Sequence, residues 1–232
     1  MNTQAPTMCC TADYPASLST RPSGSRRSFH RRWPVFAAAL LLAPAGCGRN
    51  PVKTASAGDD PNCAAVRVDR PGCPNLFKVT EDLYRGAQPG RAGFGELEKL
   101  GVRTVVNLRD THSDRPAIDG TRLDYVPIPM EAWDPELDQM KQFLTVATDP
   151  NRLPVFVHCR HGADRTGAMV AVYRIVVQGW TKQQAIDEMT KGPYGFHPIW
   201  QELPRFVRDL DADKLRKDLN LPTPTRPAVG SR

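Results

Sequence analysis

Phe156-Val157-His158-Cys159-Arg160-His161-Gly162-Ala163-Asp164-Arg165-Thr166-Gly167 is the stretch whose reading decides the fold. Just before it, Pro154-Val155-Phe156-Val157 forms a short apolar, β-branched run that reads as a buried strand. From Thr166 to Val177 the apolar pattern has helix length. A loop is thereby set at the carboxyl end of a strand and the amino end of a helix, with a cysteine near its start and an arginine at its end.

Backbone N–H groups in such a loop turn inward, and the first helical turn adds unpaired donors and the positive end of its dipole. A dianion can then be held by main chain alone. Gly162 suits this role, since without a Cβ it can take a positive φ and let a ligand come close. The same donors stabilise a thiolate, which makes Cys159 a nucleophile. The planar fork of Arg165 can grip two equatorial phosphoryl oxygens as charge builds on them, a task lysine performs poorly. Thr166 can hydrogen-bond the sulfur and ease its departure, and His158 can hold the loop through its ring nitrogens. Arg160, His161, Gly162, Ala163 and Asp164 supply the remaining substrate-facing loop. Asp164 would oppose phosphate if it pointed inward, so its side chain is expected to point out and hold the loop or a basic neighbour. A lone cysteine is ordinarily a small buried hydrophobe. Here Cys, Gly, Arg, Thr and Gly all fall where phosphate chemistry needs them. The chemistry calls for neither a metal nor a cofactor.

Outward from the loop, residues 76–79, 82–85, 104–109 and 123–129 read as strands, the last with Pro127 and Pro129 marking an exposed end. Residues 94–101 read as a helix ended by glycine. Residues 135–147 carry Leu137, Met140, Phe143, Leu144 and Ala147 at helical spacing, with Asp134 placed to cap them. A further helix begins at the Thr181-Lys-Gln-Gln cap, and residues 199–219 give one or two more. Alternation of strands and helices predicts an α/β fold, a mostly parallel central sheet flanked by helices. Ligands in such folds bind beyond the carboxyl ends of the strands, where Cys159 lies.

At His158, Cys159, Gly162, Arg165 and Thr166 the chain resembles the cysteine-dependent protein tyrosine phosphatases, whose signature is His-Cys, five residues, Arg, then Ser or Thr. The segments Asp82-Leu-Tyr-Arg-Gly-Ala-Gln-Pro89, Gly101-Val-Arg-Thr-Val-Val-Asn-Leu-Arg109 and Gln178-Gly-Trp180 are similar to small bacterial dual-specificity-type phosphatases. The resemblance runs from about Pro74 to Leu215. It implies a phosphatase fold and hydrolysis of phosphomonoesters through a phosphocysteine. It also implies a general acid, an Asp on a loop upstream of the cysteine. Asp134, beside Trp133 and Pro135, is the choice, with Glu131 and Glu136 as rivals because the familiar Trp-Pro-Asp order is absent. Arg109 and Asp110, at the end of a neighbouring strand, line or brace the pocket, or form a surface ion pair. No segment evidently builds a deep phosphotyrosine wall, so broad specificity is expected. Inositol phosphates or phospholipids are the alternative substrates, although the loop lacks lysines. A sulfurtransferase and an inactive phosphate-binding module are the readings outside this chemistry.

The chain of 232 residues begins unlike the rest. Arg26, Arg27, Arg31 and Arg32 precede an apolar run of 13 from Trp33 to Ala45, too short to span a bilayer and suited to a signal-peptide core. Ser25-Arg26-Arg27-Ser28-Phe29-His30-Arg31 resembles a twin-arginine signal, with general secretion as the other route. Leu42-Ala-Pro-Ala-Gly-Cys47 resembles a bacterial lipoprotein cleavage site. The expected organisation is therefore a leader at 1–46, lipidation at Cys47, a tether at 47–73, a catalytic domain at 74–216 and a disordered tail at 217–232. The product would be exported and membrane-anchored on the periplasmic side. Without the leader, 26 basic residues face 24 acidic ones, so the net charge of +6 falls to +2 and a nucleic-acid partner loses its support. In an oxidising compartment Cys63 and Cys73 are expected to form a disulfide.

Overall fold

The structure, a computed structural model, describes residues 64–224; the leader, Cys47 and Cys63 lie outside them. Six strands form one sheet, in the order β1-β2-β3-β6-β4-β5. β1 (Val66–Arg67), β2 (Phe77–Lys78) and β3 (Leu83–Gly86) pair antiparallel at one edge. β3, β6 (Val155–His158), β4 (Thr104–Asn107) and β5 (Asp124–Pro127) run parallel. The strand containing the decisive stretch thus lies between two parallel neighbours.

Strands covered on both faces are mostly apolar, and β3, β4 and β6 are buried at every position, their polar residues Arg85, Thr104, Asn107 and His158 included. Side chains alternate across the sheet. Val155 and Val157 enter one core with Val106, Met169 and Val172, while Phe156 enters the other with Val105, Phe94 and Leu97. Burying Phe156 alone contributes roughly 1.5–3 kcal/mol.

α1 (Arg91–Lys99) and α2 (Arg115–Ile118) accompany the smaller core. α3 (Leu137–Ala147), α4 (Asp164–Val176), α5 (Lys182–Lys191), α6 (Glu202–Asp209) and α7 (Ala212–Asp218) accompany the larger. α1 starts three residues before its expected start and ends against Gly101, whose φ of +87° closes the helix. α5 is capped by Thr181 and Gln184 as the sequence indicates. α3 departs from expectation: its N-cap is Glu136, in a reciprocal capping box with Gln139, and Asp134 lies before the cap. α4 is buried nearly all round, which explains its weak amphipathic signal.

β1 falls inside the segment read as a tether, and Ala65 N–H donates to Glu188 Oε1 at 3.1 Å, so the folded part begins before residue 74. Cys73, expected to bridge to Cys63, is a buried free thiol that donates to the Gly93 carbonyl at 3.3 Å. Burial, with the charge of Glu96 added, pushes this thiol up to about 11. Among the described residues no helix is long and apolar enough to cross a membrane.

Candidate active site

Between β6 and α4 the chain turns at Cys159 to Ala163, and the scaffold takes hold of each carbonyl in turn. His158 Nδ1 lies 3.3 Å from the Cys159 oxygen, and Gln88 N–H donates to Arg160 O at 3.2 Å. Asn75 Nδ2 donates to His161 O at 2.9 Å. Arg85 Nη2 donates to Gly162 O at 2.9 Å and to Ala163 O at 3.4 Å. In a trans peptide each carbonyl opposes the next N–H. Five carbonyls tied outward therefore turn the N–H groups of 160–164 to the other side, as a cradle for an anion. Gly162 makes the bend with φ +70°, and a Cβ there would stand 2.3 Å from the Gly86 carbonyl carbon.

Arg85 is 1 % exposed and, among the described residues, has no carboxylate in hydrogen-bonding contact and no hydrogen-bond partner for its Nε and Nη1. Its guanidinium carbon lies 3.7 Å from the Tyr194 ring centroid, a cation–π contact that helps offset the burial. Glu188 holds Tyr194 OH at 3.2 Å and Arg174 through two bonds of 2.7 and 2.9 Å, so this support continues into α4 and α5.

On the other side of the loop His158 is fully buried. Its ring stacks on Phe156, and Nε2 lies 2.9 Å from Asp114 Oδ2. Gln88 Nε2 donates to Asp114 Oδ1 at 2.6 Å, and Arg109 Nη1 donates to Gln88 Oε1 at 3.0 Å. Burial raises the Asp114 pKa, but the hydrogen bond and charge of His158, with Gln88, outweigh it and hold the carboxyl below its ordinary value. Arg109 therefore braces the site from behind.

Cys159, 2 % exposed, lies at the base of a cavity of about 350 Å³ that is also lined by Arg165, Glu131, Trp133, His197 and Trp200. Arg160, His161, Asp110 and Asp164 share this lining. Arg165 Nη1 donates to Met130 O at 3.0 Å and more loosely to Leu108 O and Asp110 Oδ1, both at 3.4 Å. All these bonds leave from one corner of the guanidinium, which leaves the Nε–Nη2 edge for two parallel bonds to phosphate. Asp164 holds a basic neighbour, accepting from His197 N–H at 2.8 Å and from the His197 ring.

Three expectations change. Asp134 does not line the cavity of Cys159; it faces a neighbouring depression with Glu136 and Gln139, while Glu131 reaches both. Thr166 Oγ1 is buried without a partner, so its bond to the sulfur is not formed. An aromatic wall does exist. Trp133, 56 % exposed, lies 6.0 Å from Trp200 between ring centroids, with Ile199 beside them. Asn75, Arg85, Gln88, Asp114, His197 and Trp200 were not singled out from the sequence. Only Arg85 and Gln88 lie in a stretch that carried the resemblance.

The comparisons agree with this geometry. The family model described as a DSP-PTPase phosphatase fused to NAD+ kinase matches residues 61–204. The dual specificity protein phosphatase TpbA of Pseudomonas aeruginosa UCBPP-PA14 is 37 % identical over 146 residues, 61 % of this chain and 65 % of that protein. The inositol diphosphatase DSP5 of Arabidopsis thaliana is 27 % identical over 69 % of this chain and 80 % of its own length. A crystal structure of P. aeruginosa TpbA in complex with pTyr superposes with a TM-score of 0.62 at 32 % identity, covering 68 % of this chain and 97 % of that one. This chain thus spans just under two thirds of the length of its curated TpbA relative.

Proposed function

This chain belongs to the DSP-type cysteine phosphatases of that family, and from that premise we propose that it hydrolyses phosphomonoesters, aryl phosphates of the phosphotyrosine kind foremost, through a phosphocysteine. The observation that carries this is the row of tied carbonyls from Cys159 to Ala163, which leaves an anion cradle between the nucleophile and Arg165.

In the first step Cys159 Sγ, as the thiolate, attacks phosphorus while the P–O bond to the leaving group breaks. The N–H groups of 160–164 and the Arg165 fork carry the charge of the equatorial oxygens. Glu131, the carboxyl group of the β5–α3 loop that lines the cavity, gives its proton to the leaving oxygen. In the second step water attacks phosphorus, Glu131 takes the proton of that water, and the S–P bond returns its electrons to sulfur. Thr166 Oγ1, buried and unpartnered, is the donor suited to the sulfur as that charge returns.

The wall of Trp133, Trp200 and Ile199 favours a flat apolar leaving group. This supports aryl phosphates over inositol phosphates, for which cationic side chains rather than indoles would be wanted. TpbA, seen in complex with pTyr, supports the same choice.

We also propose that the protein is exported and held by lipid on Cys47 at the periplasmic side. The support is the arginine-rich leader, its apolar run of 13 and the small residues before Cys47.

Turnover of an aryl phosphate, a phosphotyrosine peptide and an inositol polyphosphate in the presence of EDTA tests the enzymatic reading. Aryl and tyrosyl esters should be the better substrates. Cys159→Ser should abolish turnover, and Arg165→Lys should lower it by a factor on the order of a hundred or more. Undiminished turnover by Cys159→Ser would reject the mechanism.

A further inference from the structure

His161 and His197 face each other at the mouth of the cavity, with ring centroids 5.2 Å apart, and Asp164 lies beneath them. His197 Nδ1 is 3.1 and 2.9 Å from the two Asp164 oxygens, and one ligand atom from each of the three residues lies within 4.8 Å of the others. We propose that His161, Asp164 and His197 hold a divalent transition-metal ion of the zinc class, and that the ion closes the pocket to phosphoesters.

Geometry is the first ground. A tetrahedral ion with bonds of about 2.0–2.1 Å to nitrogen and oxygen keeps its ligand atoms about 3.3 Å apart. The His197–Asp164 pair already stands close to that spacing. His161 has to approach by at most about an ångström and a half, and its exposed side chain can turn to do so.

Donor chemistry is the second. Two imidazoles and one carboxylate suit zinc and its neighbours; magnesium and calcium prefer all-oxygen shells. One Asp164 oxygen is also fixed by the His197 N–H at 2.8 Å, an outer bond of the kind that orients a ligating carboxylate. Arg160 and Arg165 oppose a cation in this cavity, whereas Asp110, Glu131 and Asp164 favour one.

Position gives the consequence. Three protein ligands leave one coordination place, and it opens onto the cavity of Cys159 and Arg165. An ion with its water there stands in the path of an entering phosphoester. Binding follows from the three residues alone, whereas the inhibitory effect rests on the phosphatase reading.

Titration of the full-length Cys159→Ser protein with Zn²⁺ by calorimetry separates the two, because it needs no turnover and removes the catalytic thiolate. One equivalent should bind beyond any taken up by other cysteines, and its affinity should fall at least tenfold in Cys159→Ser/His197→Ala and in Cys159→Ser/His161→Ala. Zn²⁺ taken up by other cysteines is common to all three proteins and cancels in the comparison. In the protein with Cys159 intact, Zn²⁺ should inhibit aryl phosphate turnover. The inhibition constant, measured against each variant's own metal-free rate, should rise at least tenfold with either histidine replaced. Zn²⁺ binding unchanged by both histidine substitutions, or found only when Cys159 is present, would overturn the site. Binding at the histidines without inhibition would overturn its closing role.

Discussion

Oδ2 of Asp114 stands 2.9 Å from Nε2 of His158, and both side chains are fully buried. This pair fixes the ring that bears on the Cys159 carbonyl, so the loop is set from below by a carboxylate 45 residues upstream of the nucleophile.

Asp114→Asn should lower kcat by roughly tenfold to a hundredfold, since small displacements of a reacting group are costly. Its carboxyl has a lowered pKa in the folded state, so its stabilising effect is fully present above the unfolded carboxylate value of about 4 and is lost as pH falls through the folded one. Denaturant midpoints between pH 7 and pH 3 should therefore drop less in the Asn variant than in the wild type.

Glu131→Gln should slow esters with poor leaving groups far more than activated aryl esters, because only the former need the proton. Asp134→Asn should leave that dependence unaltered. A leaving-group series measured on both variants decides the matter, and the reverse pattern would return the role to Asp134.

Arg85→Met should cut turnover by about a hundredfold through loss of the bonds to Gly162 O and Ala163 O. Arg85→Lys should restore part of it if the donor matters rather than the packing. Circular dichroism on both variants checks that the fold survives.

Cys159 should be alkylated by iodoacetamide at neutral pH, while Cys73 stays protected until the solution approaches pH 11 or the protein unfolds. Peptide mapping of the labelled chain reads this directly.

Cys47→Ala should move the protein from the membrane fraction to the soluble one when the chain is expressed in a cell with the lipoprotein pathway. An unchanged membrane pool would reject lipid anchoring there.

Legibility in the sequence followed contact distance along the chain. The strand, loop and helix around Cys159 are local, so composition and periodicity revealed them, and Arg165 and Gly162 with them. The residues that hold the loop come from far away: Asn75 reaches His161 across 86 positions and Arg85 reaches Gly162 across 77. Single-chain spacing carries no trace of such contacts. Asp134 is the choice from the sequence for its place between Trp133 and Pro135, although the familiar Trp-Pro-Asp order is absent. The Glu136–Gln139 capping box sets where α3 begins, and of the three candidate carboxyl groups Glu131 is the one that lines the cavity of Cys159. The pairing expected for Cys73 rested on parity of thiols, which says nothing of the direction a side chain takes into a core.

β6 is hydrogen-bonded along both edges, to β3 and to β4, and every one of its residues is buried. Its amides cannot exchange with solvent by fraying at a margin, because opening them requires the sheet to part down its middle. Amide exchange at residues 155–158 should accordingly proceed only through global unfolding. Heat or denaturant would then extinguish activity and tertiary structure at one shared midpoint, with no preceding phase in which the loop alone has melted.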